Sequence, residues 1–429
     1  MNYFKQILYE LKNQKMVTWV SISGTALAIF LIMSVFMSDR IQNVVMTPES
    51  QRDRILIGKN IHLQHPEGSG STGGVSYELA NKLYGNLDGV ENISLVATQW
   101  GTSDIGLQGE KTISVQPLQV DNAYWNIYDY KFIAGTPFEK EEIEAGLKIV
   151  ILTESVARKI FGETAITGRQ VDIDNQPYLV KGVVKDSNPL LTDGTIDIFT
   201  TYKKDQVFGW QGDIAGSSNV RLLLKDGVEA DYIKSQVKKR YEDWNREMQK
   251  SGYRLIYHQQ PYTSEEISAG TSGSNNDPQL EFETRIRGAF YLILLILPAI
   301  NLSSMTRSRL RHRISEIGVR RAFGAKKKNI ISQIFTENLL ISLIGGAIGL
   351  GLSLIFLAFL SQFFISFTNP HIFSDIITVN LSPVIWRVFD FRTFFIAFGA
   401  CFVLNILSAT LPAWRASIVN PAIAISKAK

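Results

Sequence analysis

Apolar positions along this chain fall into two patterns. Residues 16–37 run for 22 positions without a charge, which at 1.5 Å per residue is enough to cross a hydrocarbon core of about 30 Å. Apolar runs of similar character cover residues 287–305, 330–367 and 391–411, so four transmembrane helices are predicted. Residues 1–15 place Phe4, Ile7, Leu8 and Leu11 at helical spacing beside Lys5, Lys12 and Lys15, the pattern of a short amphipathic helix on the cytoplasmic membrane surface. The first span is longer than the apolar part of a secretion signal, and Ser38, Asp39 and Arg40 follow it without a small-residue cleavage site. It is therefore expected to stay in the protein as an anchor.

Between residues 39 and 284 no apolar run is long enough to span, and the pattern shortens to strands and amphipathic helices. Residues 55–64 and 93–100 read as strands, and residues 75–87 as a helix. The Gly and Ser cluster at 68–74 is a loop, not a phosphate cradle, because no Gly-Lys-Ser/Thr closes it. Residues 148–186 give a clear local order. A β-rich run comes first, then a helix opened by Thr153 with Ala157, Ile160 and Phe161 on one face, a stop at Gly162, and two strands joined across Asn175. Alternation directs Val171, Ile173, Leu179 and Val183 toward a core. Residues 228–250 predict a helix with Tyr232, Val237, Tyr241 and Trp244 on one face, and the polar run 270–278 is a linker. The fold class is thus a membrane α-helical protein of four transmembrane helices, with an α/β extracytoplasmic domain inserted between helices 1 and 2.

Charge gives this topology a direction. Residues 39–284 hold 25 Lys and Arg against 35 Asp and Glu, whereas the whole chain has 44 against 40, so the flanks are strongly basic. Residues 305–330 alone carry nine basic side chains and the single acid Glu316. Such a loop between spans marks the cytoplasmic side and meets anionic lipid. Nucleic acid is a poor explanation, since the loop is wedged between spans with no recognisable binding fold. The layout becomes 16–37 first span, 39–284 outer domain, 287–305 second span, 306–329 cytoplasmic loop, 330–367 third span, 368–390 outer loop, 391–411 fourth span and 412–429 cytoplasmic tail. Pro298 should kink the second span, and the third, longer than the bilayer needs, should tilt or break near its end. Gly345, Gly346, Gly349 and Gly351 form small-x-x-x-small pairs that let another helix approach. An ion pathway would place ionisable groups inside the spans, and none is expected there. Cys401 has no disulfide partner in the chain, His62 and His65 lack a third metal ligand, and no nucleophile and base stand at catalytic spacing.

Two sets of residues carry a resemblance. Arg313, Glu316, Ile317, Gly318, Val319, Arg320, Arg321, Ala322, Phe323, Gly324 and Ala325 fill the pattern R-x-x-E-I-G-[IV]-R-[KR]-A-[LIF]-G-A without a gap, and Pro412, Ala413, Ala416, Pro421 and Ala424 match a closing P-A-x-x-A-x-x-x-x-P-x-x-A run. In the outer domain, Gly135 and Phe138 are followed by Ser155, Lys159, Phe161 and Gly162, then by Val180, Gly182, Val183, Val184 and Asp186. The chain resembles, over its whole length, the MacB/FtsX-type ABC transporter permeases. It departs from their helix pattern by placing Ala157 two residues after Ser155. The resemblance implies a permease dimer, formed with a second copy or a paralogue. It places Arg313, Glu316, Ile317, Gly318, Arg320, Arg321 and Gly324 in a helix that docks on a separate ABC ATPase, and the outer domain in two subdomains. ATP is then used by that partner, because no G-x-x-x-x-G-K-[ST] occurs in this chain and no cofactor is expected. Implied too are a bacterial inner-membrane location, transmission of ATPase motion to the outer domain for efflux of a periplasmic or membrane-embedded compound, and a periplasmic adaptor and outer-membrane protein as further partners. A regulator of an extracytoplasmic cell-wall enzyme is the alternative. Its cell-division representatives have much smaller outer domains.

Overall fold

The computed structural model describes residues 15–43, 47–98, 101–186, 196–202, 214–269, 280–296 (without 283, 287, 291, 294 and 295), 323, 327–368, 389 and 391–403 (without 393, 397, 400 and 401). Two compact units emerge, one holding the apolar helices and the other the described residues between 42 and 282.

The second unit is built around central strands buried on both faces, residues 55–58, 149–153 and 198–201 among them. In chain order it contains β1 (Ile55–Gly58), β2 (Ile61–Gln64), β3 (Gly70–Val75), helix α2 (Tyr77–Tyr84; α1 is the membrane helix Lys15–Asn43), β4 (Val90–Thr98), β5 (Ser103–Gly106), β6 (Ile113–Val115), β7 (Pro117–Val120), α3 (Tyr124–Ile127), β8 (Phe132–Gly135), α4 (Lys140–Glu144), β9 (Ile149–Thr153), α5 (Glu154–Phe161), β10 (Gln170–Ile173), β11 (Gln176–Val184), β12 (Ile198–Thr201), β13 (Ala215–Gly216), β14 (Ser218–Leu224), α6 (Ala230–Glu247), β15 (Arg254–Ile256) and α7 (Ser264–Ser268). The order along the sheet is β15-β2-β3-β14-β4-β7-β12-β9-β11-β10-β5-β6, with β1 added to β14, β13 to β3 and β8 to β11. β9 runs parallel to β11 and β12 parallel to β7, while the other pairs are antiparallel, so the domain is a mixed α/β sheet.

The period-2 alternation sorts side chains into three cores. Val220, Leu222 and Leu224 of β14, with Leu95 and Ala97 of β4, meet α2 and α6. Leu223 and Val96 point the other way, into a core with Ile55, Ile57, Phe199 and the aromatic residues around α3. Further along, Ile149 and Ile151 of β9 join that second core, whereas Val150 and Leu152 pack with α5 in a third.

The segment 148–186 follows its predicted order closely. Asp174 and Asn175 both adopt positive φ, the backbone of a tight hairpin turn, and Gly162 ends α5 in the left-handed region. Thr153 holds the N-cap position, but its hydroxyl donates to the Asp197 carbonyl at 3.0 Å, and the Asp186 carboxylate instead accepts the Ser155 N–H at 2.9 Å. Two core assignments change. Leu179 is 48% exposed and Val180 is buried in its place, because an irregularity between Val180 and Gly182 in the β9 pairing shifts the alternation and lets Val180 and Val183 share a face. On α6 the buried face starts at Ile233, not Tyr232; Ile233, Val237, Tyr241 and Trp244 follow a 4-4-3 spacing, and Tyr232 sits about 100° away, bonded to Asp88 at 3.1 Å.

Lys181 reaches from β11 to α4 and bonds the Glu142 carboxylate at 2.6 Å. The hydrogen bond to Glu142 holds the Lys181 ammonium above its ordinary range. Partial burial works to raise Glu142, but the bonds from Lys181 and from the Glu139 N–H outweigh it and keep the carboxyl low. The lowered acid stabilises above its unfolded pKa and loses this as pH falls; the raised base stabilises below its own and loses this as pH rises. The pair therefore contributes between roughly pH 4.3 and 10.4. Lys181→Met is expected to lower the melting temperature at pH 7 by the equivalent of about 0.5–1 kcal/mol, with the deficit closing below pH 4, in thermal unfolding followed at both pH values.

Candidate functional site: a glycine seam between membrane helices

Among the described residues two helices are long and apolar enough to cross a membrane, with spans Thr18–Met37 in α1 and Phe335–Leu357 in a second helix, α8 (Lys327–Thr368). α8 is 42 residues long and runs without a break, which leaves tilt as the alternative of the two expected for its length. At 1.5 Å per residue it is about twice as long as a hydrocarbon core is thick.

The two helices meet at glycines. A Cβ on Gly345 would stand 2.8 Å from Thr25 Cβ and 3.0 Å from the Ile22 carbonyl, and one on Gly349 would stand 2.5 Å from the Ala26 carbonyl. Further along, the rings of Phe30 and Phe356 meet edge-on at 5.5 Å. Contacts at 22–25 with 345, 26–30 with 349, and 30 with 356 advance together, so α1 and α8 are parallel. Gly346, one residue and about 100° from Gly345, faces a different neighbour: its Cβ would lie 2.9 Å from the Phe398 ring. Phe335 meets Phe402 at 5.5 Å, and since 335 pairs with 402 but 346 with 398, the described helical residues between 391 and 403 run antiparallel to α8.

Gly351 departs from the expected packing role. It is exposed with no described atom within 4 Å of a Cβ, because two residues past Gly349 the helix has turned about 200°. Glu337 was missed. It is 3% exposed and shares the buried stripe Ile341, Gly345, Gly349 and Ser353 at a spacing of four, so an ionisable group does lie inside the third span. The same spacing, read from the sequence, would have found it. Thr18, Ser21 and Thr25 bring a matching buried polar stripe on α1. Of the coupling motif, Phe323 alone is described, 88% exposed; Arg313, Glu316, Ile317, Gly318, Arg320, Arg321 and Gly324 lie outside the described residues, as do residues 1–14, the linker 270–278 and residues 404–429.

The outer-domain motif residues come together. Gly135 of β8 pairs with Gly182 of β11, and Phe138 is buried in the aromatic core. Gly135 has φ +75°, and a Cβ there would stand 2.1 Å from the Lys181 carbonyl. The motif glycines are thus the point where two strands cross too closely for side chains.

A glycine-sealed bundle with a large α/β domain inserted in sequence between its helices is the class of a membrane permease subunit. The MacB-like periplasmic core domain family matches residues 18–240, and the FtsX-like permease C-terminal family matches residues 288–421. The chain belongs to the MacB/FtsX-type ABC transporter permeases. Among relatives, the uncharacterized ABC transporter permease YknZ of Bacillus subtilis (strain 168) is 27% identical over 266 residues, 62% of this chain and 63% of that protein. The macrolide export ATP-binding/permease protein MacB of Escherichia coli (strain K12) is 23% identical over 322 residues, 72% of this chain and 43% of MacB. The aligned part is therefore less than two thirds of the length of these curated relatives. Two solved structures are also similar. The periplasmic region of MacB from Actinobacillus actinomycetemcomitans has a TM-score of 0.37 at 15% identity, covering 52% of this chain and 95% of that one. The extracellular domain of YknZ from Gram-positive bacteria has a TM-score of 0.32 at 20% identity, covering 46% and 100%.

Proposed function

We propose that this chain transmits the motion of a separate cytoplasmic ABC ATPase through four spans to its extracytoplasmic domain, and so exports or extrudes a periplasmic or membrane-embedded substrate. The observation that carries it is the parallel packing of α1 and α8. Two parallel spans enter from the same side, so the chain has to cross back once between them, and the apolar run at 287–305 is the segment long enough to do so. The apolar run at 391–411, whose described residues up to 403 run antiparallel to α8, is read as a fourth crossing. On this reading the basic segment 306–329 and both termini face the cytoplasm at a bacterial inner membrane, which the excess of Lys and Arg in that segment supports.

A stiff helix continuing from the basic segment is a suitable relay. Close backbone contact at Gly345 and Gly349 leaves little slack between α8 and α1. Arg313, Glu316, Ile317, Gly318, Arg320, Arg321 and Gly324 form the docking helix, in which ion pairs set the register on the ATPase. The permease name of YknZ, against the ATP-binding/permease name of MacB, supports an ATPase on another polypeptide here. A second copy or a paralogue completes a dimer; an adaptor and an outer-membrane protein are further candidate partners.

The test is co-purification of the full chain with its native ATPase. Glu316→Ala with Arg320→Ala is expected to cut recovery of the ATPase at least tenfold while gel filtration of the permease stays unchanged. Undiminished recovery would sink the coupling role.

A further inference from the structure

Both membrane-linked ends of the outer domain converge on the four-residue strand β1. The incoming segment is held first. The Pro48 carbonyl accepts the Asp129 N–H at 2.8 Å, the Ser50 hydroxyl donates to the Asp129 carboxylate, and Glu49 and Arg52 form a 3.5 Å ion pair at 3% and 6% side-chain exposure. Arg54 then donates to the Leu224 carbonyl at the end of β14 through Nε at 2.8 Å, and pairs with Glu91 at the start of β4 at 2.6 Å. Residue 55 begins β1 immediately afterwards.

The outgoing segment returns to the same strand. Ile57 and Tyr262 exchange two backbone hydrogen bonds of 2.8 Å, on the side of β1 not taken by β14. Gln260, 2% exposed, accepts the Lys59 N–H at 2.9 Å and donates to the Asn60 carbonyl at 2.6 Å. Next, α7 is fastened. Thr263 and Glu266 form a capping box, Glu266 also holds Lys234 of α6, and Ile267 packs on the core that contains Ile55 and Ile57.

We infer that β1 is a shared anchor, with Gln260 and the Glu49–Arg52 pair as its positioning residues, through which the first and second membrane segments move the outer domain. Hydrogen-bonded strand pairs are short and stiff. A domain attached through opposite edges would be stretched when its two membrane connections shift relative to each other, whereas one attached through a single strand is displaced as a body. β1 passes displacement to β14, which is paired to β4 over seven positions. The purpose of the anchor rests on the mechanotransmission proposed above; its existence does not.

Hydrogen exchange by mass spectrometry on the full chain in nanodiscs, without ATPase or nucleotide, tests the anchor. Segments that open together exchange together. Gln260→Ala, on the outgoing side, is expected to raise exchange about tenfold in residues 257–269 and by the same factor in residues 47–58, the loss of two hydrogen bonds at a buried site. Arg52→Met, on the incoming side, should do the same in both segments; Ser50→Ala, a milder change, serves if that variant does not fold. An increase confined to the segment that carries the substitution overturns the anchor. The ATPase co-purification reports on coupling separately, so either conclusion can fail without the other.

Discussion

Replacing Gly349 with leucine is expected to part α1 from α8. The new side chain would begin 2.5 Å from the Ala26 carbonyl, against backbone that cannot turn aside as a flexible side chain could. Overpacking costs about 1–3 kcal/mol in well-packed interiors, and contact with backbone places this site at the upper end, a shift of about 100-fold in the packed population. In a Cys401→Ser background, cysteines at Phe30 and Phe356 report the contact through a short bifunctional cross-linker. Gly349→Leu should reduce cross-linking at least tenfold in native membranes, and Gly351→Leu should leave it unchanged, since Gly351 has no described neighbour. Equal effects of the two substitutions would show that the seam is not where α1 and α8 are joined. If α8 relays motion, Gly349→Leu should also abolish any effect of the permease on its ATPase while leaving the complex assembled.

Gly135→Val is expected to be the most damaging single change in the outer domain. It combines a left-handed backbone, which costs a branched residue about 1–2 kcal/mol, with a Cβ 2.1 Å from the Lys181 carbonyl. The contact cannot be relieved by a rotamer, because the backbone alone sets where Cβ lies, its partner is main chain, and β8 is fixed to β11 by their pairing. A loss of about 3–5 kcal/mol follows, a fall of about 10 °C in the melting temperature of a domain this size. Gly109→Ala separates the two causes: Gly109 has φ +80° and nothing within 4 Å, so that change should cost about 1 kcal/mol from conformation alone. Thermal unfolding of the full chain in nanodiscs measures both, and a Gly135 variant no worse than the Gly109 variant would refute the steric account.

Much of the domain was legible because its signals are local. The order of strand, helix, stop and hairpin over residues 148–186 needs only neighbours within a few positions: Gly162 to end α5, and Asp174 with Asn175 to turn the chain. Faces were harder to read. Leu179 loses its core place to Val180 through an irregularity in the pairing with β9, a strand about 30 residues earlier whose register no local pattern carries. Tyr232 and Ile233 are both apolar enough to begin the buried stripe of α6, and the choice is made by what α2 and β14 present opposite them. Glu337 shows a different failure. It lies inside the span read at 330–367, in steps of four from Ile341, Gly345 and Gly349, but whether a carboxylate there is buried against a neighbouring helix depends on packing that no local pattern carries.

Where the chain is apolar enough to enter a bilayer, where its basic charge concentrates, and which stretches become strands or helices could all be read from neighbours along the chain, because length, charge and periodicity are local properties. Folding settled which of four similar glycines meet which helix, that α1 and α8 run parallel, and that both ends of the outer domain meet at β1. Those outcomes depend on pairs of residues from about 50 to about 330 positions apart, held by close packing and shared hydrogen bonds that appear only once the chain has folded.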